Sequence, residues 1–150
     1  MLAERPLPGD LADRLASLAR AWAADPDIAA VYLFGSRSSG TPGPRSDVDL
    51  AVVLRAGIDA GARWRKRLAL LGDACARLGT DAVDLVILQD VPAVLGHRVL
   101  RGGRLLAESD PRRRAAVVED VLRRYLDEAH LRAELDAGLS RRIREGRFAG

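Results

Sequence analysis

Cysteine and long apolar runs are scarce in this sequence, and both absences limit what the protein can be. A single cysteine, Cys75, excludes a disulfide within the 150-residue chain and favours a reducing compartment. No apolar run approaches the roughly 20 residues needed to cross a bilayer. The first residues also lack the apolar stretch of a secretion signal. We therefore predict a cytoplasmic protein without a membrane-spanning segment.

Lysine and aromatic residues are also few: Lys66 is the only lysine, and Phe, Trp and Tyr occur twice each. The net charge of +3 is modest; residues 98–150 carry +4 (13 basic minus 9 acidic) and residues 1–97 carry −1 (11 minus 12). A slightly basic helical tail is usually a solvated face, so nucleic acid is not a favoured partner. Trp64 has no aromatic neighbour in the sequence and is interpreted as a core or groove residue rather than a base-stacking platform.

The chain is long enough, and at 48% hydrophobic residues apolar enough, for one domain with its own core. Apolar periodicity and turn formers predict the order α-β-β-α-β-α-β-α, an α+β domain with a small mixed sheet flanked by helices. The predicted elements are a helix over 10–24, strands Ile28–Phe34 and Val48–Leu54, a helix over 59–78, a strand over 82–88, a helix over 91–101, a strand Arg104–Glu108 and a helix from Asp110-Pro111. The core then covers about 10–108 and the C-terminal helices about 110–146, with a break expected near 128–130.

Several reactive side chains are interpreted as structural. Cys75 lies in a helical apolar pattern, where a core thiol is expected. His97 and His130 share no metal-ligand spacing with another His or Cys, so neither is a candidate ligand. The three arginines at 112–114 are interpreted as a solvated run, with contact to an acidic partner or a nucleotide as the alternative.

The most informative feature is Gly35-Ser36, followed after ten residues by Asp47-Val48-Asp49. Side chains two apart on a strand point to one face, roughly 7 Å apart along the backbone. Asp47 and Asp49 therefore project together, and adjacent carboxylates repel each other unless a cation lies between them. Paired carboxylate oxygens suit magnesium. The pattern predicts a metal-binding pair at the start of the second strand.

The third predicted strand contains another acid, Asp84, in a tripeptide that repeats the one around Asp49. A carboxylate within an apolar strand is costly to bury without a partner. If the two strands are neighbours, Asp84 lies beside Asp49 on the same face. Three converging carboxylates can hold two magnesium ions about 3.5–4 Å apart, the arrangement used for displacement at phosphorus.

The turn at Gly35-Ser36 follows a strand and has the composition of a phosphate-binding loop. Glycine lets the backbone approach an anion, and the amides and the Ser36 hydroxyl can donate hydrogen bonds to phosphate oxygens. Arg37 and Arg45 can add charge-assisted hydrogen bonds to a leaving pyrophosphate. We therefore predict a nucleotide site formed by these four residues beside the acids.

The segment GSRSSGTPGPRSDVDLAVVL resembles the signature of the DNA polymerase beta-like nucleotidyltransferases, above all the minimal nucleotidyltransferases encoded beside HEPN-domain proteins. The later segments RGGRLLAESDP, RRYLDEAHL and RRIREGRF are similar to that group's C-terminal helices. The resemblance implies the polymerase-beta-like nucleotidyltransferase fold with a C-terminal helical extension. It implies that Gly35 and Ser36 contact the triphosphate and that Asp47 and Asp49 hold metal. It also implies that Asp84 binds metal and helps to deprotonate the attacking hydroxyl. Ser39 stands where many members have a basic residue, and Arg37 or Arg45 can compensate.

By the same resemblance, the chain is expected to be an antitoxin that transfers AMP from ATP to a tyrosine of a HEPN ribonuclease toxin. Two alternatives stay open: modification of a small molecule such as an aminoglycoside, and an antitoxin that acts by binding alone. The last helix carries a stripe of Leu131, Leu135, Leu139 and Ile143, which is the expected docking element for the toxin. The stripe could equally close the core or a homodimer.

Overall fold

The computed structural model describes residues 9–35 and 47–146, and its elements follow the predicted order. They are α1 (Leu11–Ala23), β1 (Ile28–Phe34), β2 (Val48–Leu54), α2 (Ala60–Leu78), β3 (Val83–Ile87), α3 (Ala93–Gly102), β4 (Arg104–Glu108) and α4 (Pro111–Arg144). The third strand is one residue shorter than predicted at each end, and at its C-terminal end a 3-10 turn over Leu88–Asp90 begins. None of the helices in these two ranges is long and apolar enough to cross a membrane.

The described strands form one four-stranded mixed sheet with the order β3-β2-β1-β4. β1 runs antiparallel to both β2 and β4, whereas β2 and β3 are parallel. A parallel pair needs a crossover connection, and α2 supplies it. The two strands that carry the predicted acids are therefore direct neighbours.

Helices cover both faces of the sheet, so the domain has two apolar layers. One face packs against α1 and α2 and receives Val48, Leu50, Val52 and Leu54 of β2, as the strand period predicts. The other face packs against α3 and α4 and receives Ala51 and Val53 of the same strand. Asp49 begins this second face, so it lies where a buried apolar surface meets the end of the sheet.

Close approach of α3 and α4 gives the second layer its shape. A Cβ atom at Gly96 would lie 2.8 Å from Val121 Cγ1, so only glycine allows this helix spacing. His97 stacks on Tyr125 with 3.8 Å between ring centroids, which confirms its structural role. His130 lies on the exposed part of α4 beside Glu134.

Cys75 is half-buried on α2 rather than fully buried. Burial, followed by the negative charge of Asp81, raises the pKa of the Cys75 thiol. The protonated form is therefore favoured, as expected of a packing residue rather than a nucleophile.

The start of α4 is fixed by its own cap and by arginine contacts with the sheet. The Asp110 carboxylate accepts a hydrogen bond from the Arg113 amide at 3.1 Å, which confirms the predicted N-cap. The Arg113 side chain donates to the Leu54 carbonyl at 3.0 Å. Arg114 donates to the Tyr32 hydroxyl at 3.0 Å and pairs with Glu108. The interpretation of 112–114 as a solvated run is therefore wrong for two of its three arginines.

Beyond its first turns, α4 leaves the sheet without the expected break near 128–130. Its 34 residues form one continuous helix, of which Val117 and Val121 are the buried residues. The predicted stripe is open to solvent: Leu131, Leu135, Leu139 and Ile143 are 55%, 59%, 52% and 49% exposed. The stripe therefore does not close the core of this chain.

Candidate active site

Strand register places two of the predicted acids side by side at one end of the sheet. Asp49 of β2 is paired with Asp84 of β3, and on its other side it is paired with Phe34, the last residue of β1. Asp47 immediately precedes β2 and is exposed. This confirms that the two acid-bearing strands are neighbours with Asp84 beside Asp49.

The electrostatics of Asp49 reflect this crowding. Burial, together with the negative charges of Asp84 and Asp47, raises the pKa of the Asp49 carboxyl above its ordinary value. Among residues 9–35 and 47–146, the charges that act on Asp49 are those of Asp84 and Asp47, and both are negative. A bound cation or a proton would therefore stabilise this position.

Gly35 brings the start of the predicted phosphate loop against Asp49. Its φ of +74° lies in the left-handed region, which side chains other than glycine rarely adopt. A Cβ atom added at Gly35 would also overlap the Asp49 carboxylate. Backbone conformation and close approach thus both require glycine next to the central acid.

Arg67 of α2 is a residue of this site that the sequence pattern did not single out. Its Nη2 lies 3.9 Å from Asp84 Oδ1, and its Nε donates to the Leu85 carbonyl at 2.8 Å. The guanidinium also lies 5.4 Å from the centroid of the Trp64 ring. In the sequence Arg67 belongs to a basic run on a helix, and only the packing of α2 against β3 distinguishes it.

The predicted magnesium cluster is not assembled in the described part of the chain. Among the described residues, no three His, Cys, Asp or Glu side chains lie close enough together to hold a metal ion. Asp84 lies 3.9 Å from the Arg67 guanidinium, which offers its carboxylate a positive charge on the α2 side. The donor chemistry still fits a hard cation, because all three acids supply carboxylate oxygens.

Three of the predicted nucleotide-binding residues, Ser36, Arg37 and Arg45, lie outside the described residues, as does Ser39. Gly35 is the member of that set which the structure places, and it lies beside the acids. The roles of the other three stay predictions.

The family described as Polymerase beta, Nucleotidyltransferase matches residues 17–112, which include β1, β2, β3 and the three acids. This match covers more than half of the chain, and the chain belongs to that family. This family match confirms the predicted polymerase-beta-like fold. The class of enzyme that the family defines is the nucleotidyltransferases.

The individual proteins that the chain resembles belong to one group within this family. The chain is 38% identical over 81 residues to the protein adenylyltransferase MntA of Shewanella oneidensis strain MR-1, covering 54% of this chain. The aligned part spans about half of that relative, 55% of its length. A solved toxin–antitoxin structure with AMP-PNP matches with a TM-score of 0.60 and 30% identity, over 87% of this chain and 97% of the other.

A second solved structure holds a tri-AMPylated HEPN toxin of Shewanella oneidensis in complex with its MNT antitoxin. It matches with a TM-score of 0.54 and 27% identity, over 87% of this chain and 94% of the other. The chain is therefore similar to minimal nucleotidyltransferase antitoxins along most of its length.

Proposed function

We propose that this chain is a nucleotidyltransferase antitoxin that transfers AMP from ATP to a tyrosine hydroxyl of a HEPN-domain ribonuclease toxin. The observation that carries the proposal is the meeting of Gly35, Asp49 and Asp84 at one end of the sheet. Asp47 lies two residues before Asp49, and its negative charge contributes to the raised pKa of Asp49. The similarity to an adenylyltransferase and to antitoxins in complex with their toxins supports the same conclusion.

In the proposed reaction, the tyrosine oxygen attacks the α-phosphorus of ATP. A new O–P bond forms, and the bond from the α-phosphorus to the oxygen bridging to the β-phosphate breaks, which releases pyrophosphate. The phenolic proton passes to the Asp84 carboxylate, which is 58% exposed and can return it to water. Positioned proton acceptors of this kind contribute about 10²–10⁴-fold in rate.

The nucleotide donor belongs on the Gly35 side of the site. Backbone amides after Gly35 and the Ser36 hydroxyl are proposed to hold the triphosphate, with Arg37 and Arg45 balancing the charge of the leaving pyrophosphate. The support for this assignment is the contact between Gly35 and Asp49, which puts the start of the loop against the central acid.

We also propose that the site binds two magnesium ions. Asp47, Asp49 and Asp84 would hold the ions, and their carboxylate oxygens are the ligands that this hard cation prefers. When bound, magnesium would neutralise charge on the carboxylates and on the phosphates. The support is the chemistry of these donors and the raised pKa of Asp49, which indicates a position short of positive charge.

The toxin is proposed to dock on the projecting half of α4. A helix segment whose large apolar residues all face water gains little stability by itself, so a partner surface is expected to cover it. The exposed stripe of Leu131, Leu135, Leu139 and Ile143 provides the contact. Cytoplasmic action belongs to this proposal as well and rests on the single cysteine.

The experiment is co-expression with the protein encoded by the adjacent gene, followed by intact-mass measurement of that protein. We expect the added mass of one or more AMP units with the wild-type chain and none with Asp47→Ala. Asp84→Asn should slow single-turnover transfer much more than it weakens ATP binding, because its role is realised in the transition state.

Other outcomes would replace the proposal. A partner that is inhibited in the complex but unchanged in mass would contradict transfer and favour an antitoxin that acts by binding alone. AMP found on an aminoglycoside and not on the partner would favour a small-molecule transferase. Full transfer in excess chelator would exclude the role given to magnesium.

A further inference from the structure

The two tryptophans of the chain lie in opposite environments. Trp22 is 3% exposed, and its indole N–H donates to the Asp73 carboxylate at 2.8 Å. Trp64 on α2 is 57% exposed. Exposed tryptophans are characteristic of binding surfaces, because a large aromatic ring contributes much of its free energy only when a partner buries it. Trp64 is therefore a candidate contact for a ligand.

Trp64 forms one wall of a groove, here called the Trp64 groove, with a volume of about 410 Å³. Trp64 and Arg67 line it from α2, and Val86, Asp90 and Val91 line it from β3 and the turn that follows. Arg63 engages the Asp90 carboxylate at 2.9 Å, so that charge is already balanced. The remaining walls are mainly apolar, which suits an apolar or aromatic side chain.

The groove adjoins the candidate active site along β3. Val86 lies two residues after Asp84 on the same face of the strand, roughly 7 Å along the backbone. Arg67 connects the two places, since it lies 3.9 Å from Asp84 and 5.4 Å from the Trp64 ring centroid. A side chain next to the reacting group could therefore occupy the groove while that group reaches Asp84.

The position of the groove separates it from the nucleotide side. Gly35 lies at the end of β1, on one side of Asp49, and Asp84 lies on β3, on the other side. The groove extends from Val86 towards Asp90 and Val91, so it lies along the β3 edge of the sheet, on the opposite side of Asp49 from Gly35. A bound segment there would reach Asp84 from the β3 edge, whereas Gly35 lies on the β1 side of Asp49.

The turn that lines the groove also contacts α4, ahead of the exposed stripe that begins at Leu131. Arg124 Nη1 of α4 donates to the Val91 carbonyl at 3.5 Å, and the helix runs on from there into solvent. A partner bound along α4 would thus have the groove and Asp84 within one continuous surface. This continuity favours a protein segment over a free small molecule as the occupant.

We propose that the Trp64 groove is the acceptor-side subsite: it binds an apolar or aromatic side chain of the acceptor protein, next to the residue whose hydroxyl reacts. The inference rests on the proposed transfer of AMP to a protein and assigns Trp64 and Arg67 to recognition of the acceptor. Trp64 supplies the apolar contact. Arg67 contacts both the indole ring and the Asp84 carboxylate and so fixes the distance between them.

The test compares Trp64→Ala with Leu68→Ala and Trp64→Phe. Leu68 is 48% exposed on the same helix and does not line the groove, so it is a matched control for loss of exposed apolar area. For Trp64→Ala we expect KM for the acceptor protein to rise about tenfold to a hundredfold, with ATP affinity unchanged, as when a central aromatic anchor is removed. Trp64→Phe should lie between Trp64→Ala and the wild type, and Leu68→Ala should match the wild type.

Two results would overturn the assignment. Equal effects of Trp64→Ala and Leu68→Ala would leave the groove without a specific role. A loss of ATP affinity in Trp64→Ala with unchanged acceptor KM would make the indole a platform for the nucleotide base. If the wild-type chain transfers no AMP, the proposed function fails, and equilibrium binding of the acceptor to the wild-type and Trp64→Ala chains still tests the groove.

Discussion

The two ends of β2 differ in how their polar groups are satisfied. At the C-terminal end, the Leu54 amide donates to the Gln89 side chain at 3.2 Å. The Leu54 carbonyl accepts hydrogen bonds from Gln89 at 2.9 Å and from Arg113 at 3.0 Å. At the N-terminal end, Asp49 lies between other acids and its pKa is raised.

This difference separates stability from function within one strand. The Leu54 end is fully paired, and it ties β2 to α4 and to the turn after β3. At the Asp49 end, the charges that the described residues place around the carboxylate are negative, and they disfavour its ionised form. Substitutions at the two ends should therefore have opposite effects, and four predictions test this.

The largest effect is expected from Asp49→Asn. Loss of the central carboxylate should lower the transfer rate by about 10²–10⁴-fold, the range for positioned catalytic groups. The free energy of unfolding should hold or rise, because the uncompensated charge is removed. Single-turnover transfer and urea unfolding measure the two effects. Wild-type activity in this variant would remove Asp49 from the site.

The second-largest effect is expected from Gly35→Ala, which should lower both the transfer rate and the stability. The new Cβ would displace the Asp49 carboxylate, so we expect transfer to fall about tenfold or more. Backbone strain at positive φ should lower the free energy of unfolding by about 1–3 kcal/mol.

Gly57→Ala is the matched control for the Gly35 variant. Gly57 also has a positive φ, of +88°, but an added Cβ there would meet no atom nearer than Arg55 Nη1 at 3.7 Å. It should lose similar stability and keep its transfer rate. Equal loss of transfer in both variants would show that strain, and not contact with Asp49, lowers activity.

At the other end of β2, Gln89→Ala should lower stability and leave the transfer rate nearly unchanged, the opposite of Asp49→Asn. It removes two hydrogen bonds to Leu54: the amide loses the Gln89 acceptor, whereas the carbonyl keeps its hydrogen bond from Arg113. We expect the free energy of unfolding to fall by about 1–3 kcal/mol with little change in transfer rate at 25 °C. Chemical denaturation and the transfer assay, applied to the same preparation, check both. A stable but inactive variant would contradict the division between the two ends.

The smallest expected effect is a pH dependence of stability. Because the folded state raises the pKa of Asp49 above 3.8, folding binds a proton there, and the contribution of Asp49 to stability is greatest below that value. It is lost as pH rises through the folded pKa. Asp49→Asn should therefore exceed the wild type in stability at pH 7, by less than about 1 kcal/mol given solvent screening, and the difference should shrink towards pH 4. A difference that grows on acidification would reverse the sign assigned here.

Much of the fold could be predicted because it depends on local patterns. The bounds of β1, β2 and β4 follow from apolar runs and turn formers, and the start of α4 follows from Asp110-Pro111. The helix break near 128–130 was wrong: no proline or glycine lies there, and α4 runs without interruption from Pro111 to Arg144. Asp49 and Asp84 could be chosen as candidate site residues for a similar reason, since acids are unusual in apolar strands, and Asp47 was chosen from its spacing two residues before Asp49.

What the sequence by itself determined is the set of elements and the face on which each acid lies, because periods of 2 and 3.6 residues are set by neighbours along the chain. Tertiary structure alone decided the contacts between distant segments. These are the approach of Gly35 to Asp49, the pairing of Arg67 with Asp84, the attachment of Arg113 and Arg114 to the sheet, and the exposure of Trp64. The physical reason is that such contacts depend on how helices pack on both faces of the sheet, which no local pattern of residues specifies.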